Sequence, residues 1–136
     1  MDIFSPEKRK QIMKKIRGKN SLQELIVRSY LHKNGFRYRI HDKKLPGKPD
    51  IVLRKYKTVI FVNGCFWHQH QGCKRASIPK TNTEFWKEKL DKNVERDHKN
   101  IHDLENLGWK VIVIWACEIN EKNLVALAEK VAANLS

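Results

Sequence analysis

Apolar positions change their spacing several times along the chain, and each change marks an element. Ser21-Leu22-Gln23-Glu24 has the capping-box spacing, Leu22, Leu25, Ile26 and Tyr30 then follow at helical intervals, and Asn34-Gly35 closes the segment. Phe36 to Ile40 alternates as a strand, Leu45-Pro46-Gly47-Lys48-Pro49 is a turn, and Ile51 to Leu53 is again extended. After the polar Arg54 to Lys57, the β-branched run Thr58 to Val62 predicts a second strand antiparallel to the first. Thr83-Glu84 is placed to cap a long helix with Leu90, Val94, Ile101 and Leu104 on one stripe, ending at Gly108. Val111 to Ala116 is uninterrupted and apolar, which predicts a strand buried on both faces, and Asn120-Glu121 opens a final helix. Ahead of all this, Ser5-Pro6-Glu7 starts a short helix that runs to Arg17-Gly18.

The strand from Thr58, the long helix and the strand from Val111 form a β-α-β unit, so those two strands are expected to be parallel and to end on one sheet edge. Asn63, Gly64 and Cys65 leave the first where Cys117 leaves the second. Hairpin pairing sets Asp50 opposite Phe61 or Val62. Five groups are thereby brought to one edge, the usual position for ligands in such sheets: Asp50, Val62, Asn63, Cys65 and Cys117.

Composition narrows the function. The 136 residues carry 28 Lys or Arg against 15 Asp or Glu, a formal charge of +13, spread along the chain rather than gathered in a tail. A phosphate backbone is the natural counterpart, since each neutralised phosphate releases a counterion. The basic side chains of the first helix, Lys8, Arg9, Lys10, Lys14 and Lys15, read either as a solvated arm or as a clamp on a duplex. The expected organisation is one domain over residues 1–136, with a basic arm over 1–18 and a core over 21–136. A hydrophobic fraction of 40% excludes global disorder. No apolar run approaches the roughly 20 residues that span a bilayer, and the N-terminus has no secretory pattern, so a soluble, intracellular protein without a membrane partner is expected.

Three cysteines cannot all pair within one chain, and a reducing compartment disfavours disulfides, which leaves metal ligation or burial. Cys65, His70 and Cys73 have spacings that tetrahedral Zn2+ accepts, and the topology delivers Cys117 as a fourth ligand. A closed three-cysteine, one-histidine set is a structural site. On spacing alone His68 could replace His70. Asp50 entering a hairpin strand, with Glu24 on a preceding helix, suits a nuclease centre in which a strand aspartate holds Mg2+ beside the scissile phosphate. Glu24 also has a complete explanation as the acid of a capping box. The second strand departs from the common nuclease pattern, offering Phe61-Val62-Asn63-Gly64 where an acid, a spacer and a lysine are expected. Asp97 interrupts the apolar stripe of the long helix and needs a partner, either a zinc-ligating histidine or a nearby arginine.

Leu45-Pro46-Gly47-Lys48-Pro49-Asp50, Gly64-Cys65-Phe66-Trp67-His68, Thr83-Glu84-Phe85-Trp86, Lys92-Asn93-Val94-Glu95-Arg96-Asp97 and Leu107-Gly108-Trp109, with the strand to Cys117, resemble the very-short-patch repair endonucleases of bacteria. The resemblance implies a restriction-endonuclease-like α/β core, a mixed sheet flanked by helices with a structural zinc. It also implies a Mg2+-dependent enzyme that recognises a T:G mispair in duplex DNA, left by deamination of 5-methylcytosine, and nicks 5′ to the mispaired thymine. By position, Asp50 becomes the Mg2+ carboxylate, Val62 a ligand through its backbone carbonyl, His68 the catalytic histidine and Glu24 a water-mediated support. Val62 and Asn63 stand where the family often has threonine and histidine; a backbone ligand survives the first exchange. Zinc falls to His70, which leaves His68 able to take a proton from water.

Phe66, Trp67 and Trp86 match the family's mismatch wedge. Their flat rings on a loop beside the active edge also suit stacking into a weakened duplex. Lys89, Asn93 and Arg96 share one side of the long helix and read as DNA contacts, Asn93 through base edges, or as solvated surface. Met13 resembles a family residue that approaches the groove from the opposite side. The expected setting is the bacterial cytoplasm at the nucleoid, as a monomer, since a nick needs one active site, with other mismatch-repair proteins as candidate partners. The competing reading is a zinc-stabilised DNA-binding module without catalysis.

Overall fold

The computed structural model describes residues 22–134. The helix expected from Ser5 to Gly18, with Met13 in it, and the cap expected at Ser21 lie outside those residues. The described chain runs α1 (Leu22–Lys33), β1 (Arg39–Ile40), β2 (Ile51–Leu53), β3 (Thr58–Asn63), α2 (Thr83–Asn106), β4 (Lys110–Trp115) and α3 (Glu121–Ala133). The four strands form one mixed sheet in the order β1-β2-β3-β4, antiparallel except for β3 and β4, which are parallel. The crossover helix between them enforces that direction.

Alternation along the strands divides the sheet into two faces. Ile51, Leu53, Ile60 and Ile114 point toward α1 and α3, where they meet Val27, Leu31, Leu124, Leu127 and Val131. Val52 and Val59 point the other way, to Leu104 of α2 and Trp109. Each of these fully buried aliphatic side chains contributes about 1.5–3 kcal/mol of transfer free energy. Their combined effect is to hold the ends of β2 and β3 in fixed register.

Several expectations are met and several are corrected. In α1 the fully buried line is Glu24, Val27 and Leu31 rather than the stripe of Leu22, Leu25, Ile26 and Tyr30. A buried carboxylate in that line explains the offset, because hydrophobicity alone could not place an acid on the inner face. The strand expected from Phe36 shrinks to two residues. Phe36 instead donates its N–H to the carbonyl of Leu31, in a turn where Gly35 takes φ 88, and its ring packs on Tyr56. Thr83 is the first residue of α2 rather than its cap; Asn82 precedes it with φ 55, and the Thr83 hydroxyl donates to the carbonyls of Pro79 and Lys80. β4 is half-buried, with only Ile114 buried, because among the described residues it is an edge strand and not a central one. The Asn120 cap of α3 stands as expected, its side chain accepting from the N–H of Asn123.

Candidate active site and metal centre

Register delivers the first carboxylate. Ile51 pairs with Ile60, which sets Asp50 one step beyond the ladder and opposite Phe61. From there its Oδ2 accepts the N–H of Val62 at 2.7 Å. The preceding turn is pinned by a close approach: a Cβ at Gly47, where φ is 75, would stand 2.9 Å from Asn100 of α2. Glu24, 2% exposed, reaches the same place from α1. Its carboxylate accepts from Arg28 at 2.9 Å and stands 3.0 Å from Nε2 of His41. Burial pushes the Asp50 carboxyl up to about 6; the Val62 N–H opposes that rise and the neighbouring Glu24 adds to it. Two largely desolvated acids held this close, with the Arg28 guanidinium on one of them, form a donor set that suits a cation.

Asn63 ends β3 at 7% exposure, and the loop after it turns His68 back over the same edge. Nδ1 of His68 is 2.6 Å from Oδ2 of Asp97 on α2. Asp97 therefore orients the histidine outside the cysteine cluster, and neither of its two expected partners, a zinc-ligating histidine or an arginine, is the one observed. Asp50, Val62, Asn63, His68, Asp97 and Lys48 line one cavity of about 150 Å3. A wider groove of about 1060 Å3 continues from Asn63, His68 and Asp97 past Trp115 to His70 and Cys73.

Cys65, His70, Cys73 and Cys117 converge at the far end of that groove, with one donor atom from each within 4.8 Å of the others. The Cys73 and Cys117 sulfurs are 3.9 Å apart, and Sγ of Cys117 is 3.3 Å from Nδ1 of His70. Two thiolates about 2.3 Å from a tetrahedral Zn2+ stand about 3.8 Å apart, so the donor set fits that ion. The backbone N–H of Arg75, with His70, lowers the Cys73 thiol to about 7. Partial desolvation and the adjacent thiols raise Cys117 to about 11. Crowded thiols resist successive deprotonation, and a divalent cation relieves that. The His70 ring stacks on Trp115 at 4.3 Å, which fixes its plane.

The aromatic residues form one cluster on the loop just before His68 and the first turn of α2. Phe66, Trp67 and Trp86 have ring centroids 5.1–6.0 Å apart. Trp67 is 48% exposed and Phe85, absent from the sequence-based wedge, is 59% exposed against Trp86. Nζ of Lys89 sits 5.6 Å from the Trp67 ring and 5.8 Å from the Trp86 ring. Asn93 uses its amide locally, donating to the carbonyl of Trp67 and accepting from Arg96. It ties the loop to α2, so the sequence-based placement of Asn93 on base edges gains no support here. His41 and Arg28 are the other residues that sequence reasoning passed over. Arg28 was open to the i,i+4 rule from Glu24; His41 carries no local signal, because only strand pairing brings it to Asp50.

The matches to known proteins place the chain among enzymes that cut DNA. A model of the family described as "DNA mismatch endonuclease Vsr" matches residues 1–75. The type II nicking enzyme V.NmeAIP of Neisseria meningitidis serogroup A is 54% identical, over 89% of this chain and 86% of its own length. The type II nicking enzyme V.XorIIP of Xanthomonas oryzae is 44% identical, over 88% of each chain. The DNA mismatch endonuclease Vsr of Escherichia coli is 42% identical, over 87% of this chain and 75% of its own. The chain belongs to the Vsr family of DNA mismatch endonucleases.

Proposed function

We propose that this mismatch endonuclease recognises T:G mispairs left by deamination of 5-methylcytosine in duplex DNA and makes a Mg2+-dependent nick 5′ to the mispaired thymine. The carrying observation is the shared cavity, in which the Asp50 carboxylate and the His68–Asp97 pair meet, with the exposed Trp67 directly before His68 in the chain. Asp50 and the Val62 carbonyl hold the divalent cation in this reading, with Glu24 supporting them. When bound, that cation neutralises charge developing on the phosphate and acidifies water. His68, with its Nδ1 proton committed to Asp97, presents Nε2 to take a proton from the attacking water. Asn63, buried where the cavity and the wider groove share a wall, can orient a phosphate oxygen or that water.

Phe66, Trp67 and Trp86, joined by Phe85, stack against bases at the mispair, where the lost pairing lowers the cost of unstacking. Lys89 and Arg96 add positive charge beside them. Cys65, His70, Cys73 and Cys117 hold a structural Zn2+ that anchors the loop bearing His68 to the end of β4. The core belongs in this reading to the restriction-endonuclease-like class, and the enzyme works as a monomer at the bacterial nucleoid, handing its nick to other repair proteins. Among the described residues no helix is long and apolar enough to cross a membrane. The test is purified protein on paired duplexes carrying C:G or T:G at one position, in varied flanking sequence, with Mg2+ or EDTA. The expected product is a single Mg2+-dependent break 5′ to the mispaired T. Equal cutting of both duplexes removes the T:G specificity, and binding without a break in any context removes the mechanism.

A further inference from the structure

His41 stands at the carboxylate centre without a part in the reaction derived above. It follows β1 with φ 48, a left-handed backbone that few non-glycine residues adopt and that costs about 1 kcal/mol or more. Its N–H donates to the carbonyl of Asp50 at 3.3 Å, so the two residues face each other across the strand pair. Nε2 of His41 stands 3.0 Å from Oε2 of Glu24 and 4.0 Å from Oδ1 of Asp50. The other Asp50 oxygen, Oδ2, is the one that accepts from Val62.

Glu24, His41 and Asp50 thus each bring one donor atom into a cluster no wider than 4.8 Å. Donors about 2.0–2.3 Å from one cation are about 3–4.5 Å apart, so the spacing suits a shared ion. The chemistry of the set is mixed. Mg2+ is hard, prefers oxygen and keeps much of its water, whereas an imidazole nitrogen suits first-row transition ions. We infer that His41 is a nitrogen donor to the divalent cation of this site, and that with Asp50 and Glu24 it makes the site favour a first-row transition ion such as Mn2+ over Mg2+. The inference rests on the proposed reading of Asp50 as the residue that holds the cation. The cysteine cluster is a separate, sulfur-rich site and takes no part in it.

The test titrates Mn2+ into the full-length, zinc-loaded protein, follows the free ion by electron paramagnetic resonance, and then displaces it with Mg2+. Pulsed spectra of the bound Mn2+ report whether a histidine nitrogen is coupled to it, which needs no variant. The wild-type protein is expected to show that coupling. In His41→Gln it disappears and Mn2+ binds about tenfold or more weakly, within the range found when metal-supporting residues are removed. Less Mg2+ should then suffice for displacement. Wild-type Mn2+ without nitrogen coupling, or His41→Gln binding Mn2+ as tightly as wild type, overturns the inference and leaves His41 as a hydrogen-bond partner of Glu24. Asp50→Asn separates the two levels. If it binds Mn2+ unchanged, the carboxylate-centre reading fails and takes the inference with it; if it loses the ion while His41→Gln does not, only the role of His41 fails.

Discussion

Asp50→Asn should abolish nicking and at the same time stabilise the fold. Burial and the adjacent Glu24 raise the Asp50 carboxyl from its ordinary 3.8 to about 6, net of the Val62 hydrogen bond. At about 1.36 kcal/mol per pH unit, that rise corresponds to about 3 kcal/mol by which the ionised carboxylate destabilises the metal-free native state at neutral pH. The side chain is 23% exposed, so water screens part of it, and about 1–3 kcal/mol is the expected range. The sign follows from proton binding. Between about pH 4 and 6 the folded chain holds this proton more tightly than the unfolded one, so stability falls as pH rises through that window, and above it the whole penalty is present. Asparagine removes the charge and keeps an oxygen for the Val62 N–H. Urea unfolding of both proteins, zinc-loaded and free of other divalent cations, should show the variant more stable by about 1–3 kcal/mol at pH 8, which in a thermal melt is about 3–10 °C in Tm. At pH 4.5 the advantage should shrink to about a third of that. Added Mg2+ should stabilise wild type alone, by about 2.7 kcal/mol at 100 times its Kd. Equal stability at pH 8, or an advantage that does not change with pH, would refute the account of Asp50 as a desolvated carboxylate whose charge costs stability in the metal-free fold.

Three further outcomes are expected. His68→Ala should lower the single-turnover nicking rate by about 10²–10⁴-fold with little change in DNA affinity, and Asp97→Asn should lower it less; unchanged rates in both would remove the histidine from the chemistry. Cys117→Ser should weaken zinc retention by at least about 100-fold, about 3 kcal/mol of folding free energy, read as metal content and thermal midpoint, and full zinc at an unchanged midpoint counts against the site. Trp67→Ala should cost about 1–3 kcal/mol of binding, about 5- to 150-fold, on a T:G duplex and little on a matched one, whereas equal losses on both would reduce the ring to a general DNA contact.

Much of the architecture follows from local pattern. The β-branched run at Thr58, the long amphipathic α2 and the apolar run before Cys117 dictate a parallel pair, and with it the meeting of Asn63 and Trp115 at one edge. The hairpin register sets Asp50 beside Phe61 and Val62, and loop spacing with strand topology brings Cys65, Cys73 and Cys117 together with one of two histidines, His70 being the one the fold turns toward them. These are short-range or topological consequences, so the sequence by itself determined them. Other features depend on what packs against what. Glu24 on the buried line of α1, the half-buried edge position of β4 and the pairing of Asp97 with His68 are decided by neighbours far away in sequence. So are His41 against Glu24 and Asp50, and the commitment of Asn93 to the Trp67 carbonyl. Periodicity reports which face of an element is apolar; it does not report which polar groups the opposing elements will offer. A desolvated carboxylate takes the partner that tertiary packing brings within about 3 Å, because leaving it unpaired costs more than the local preference of any single residue.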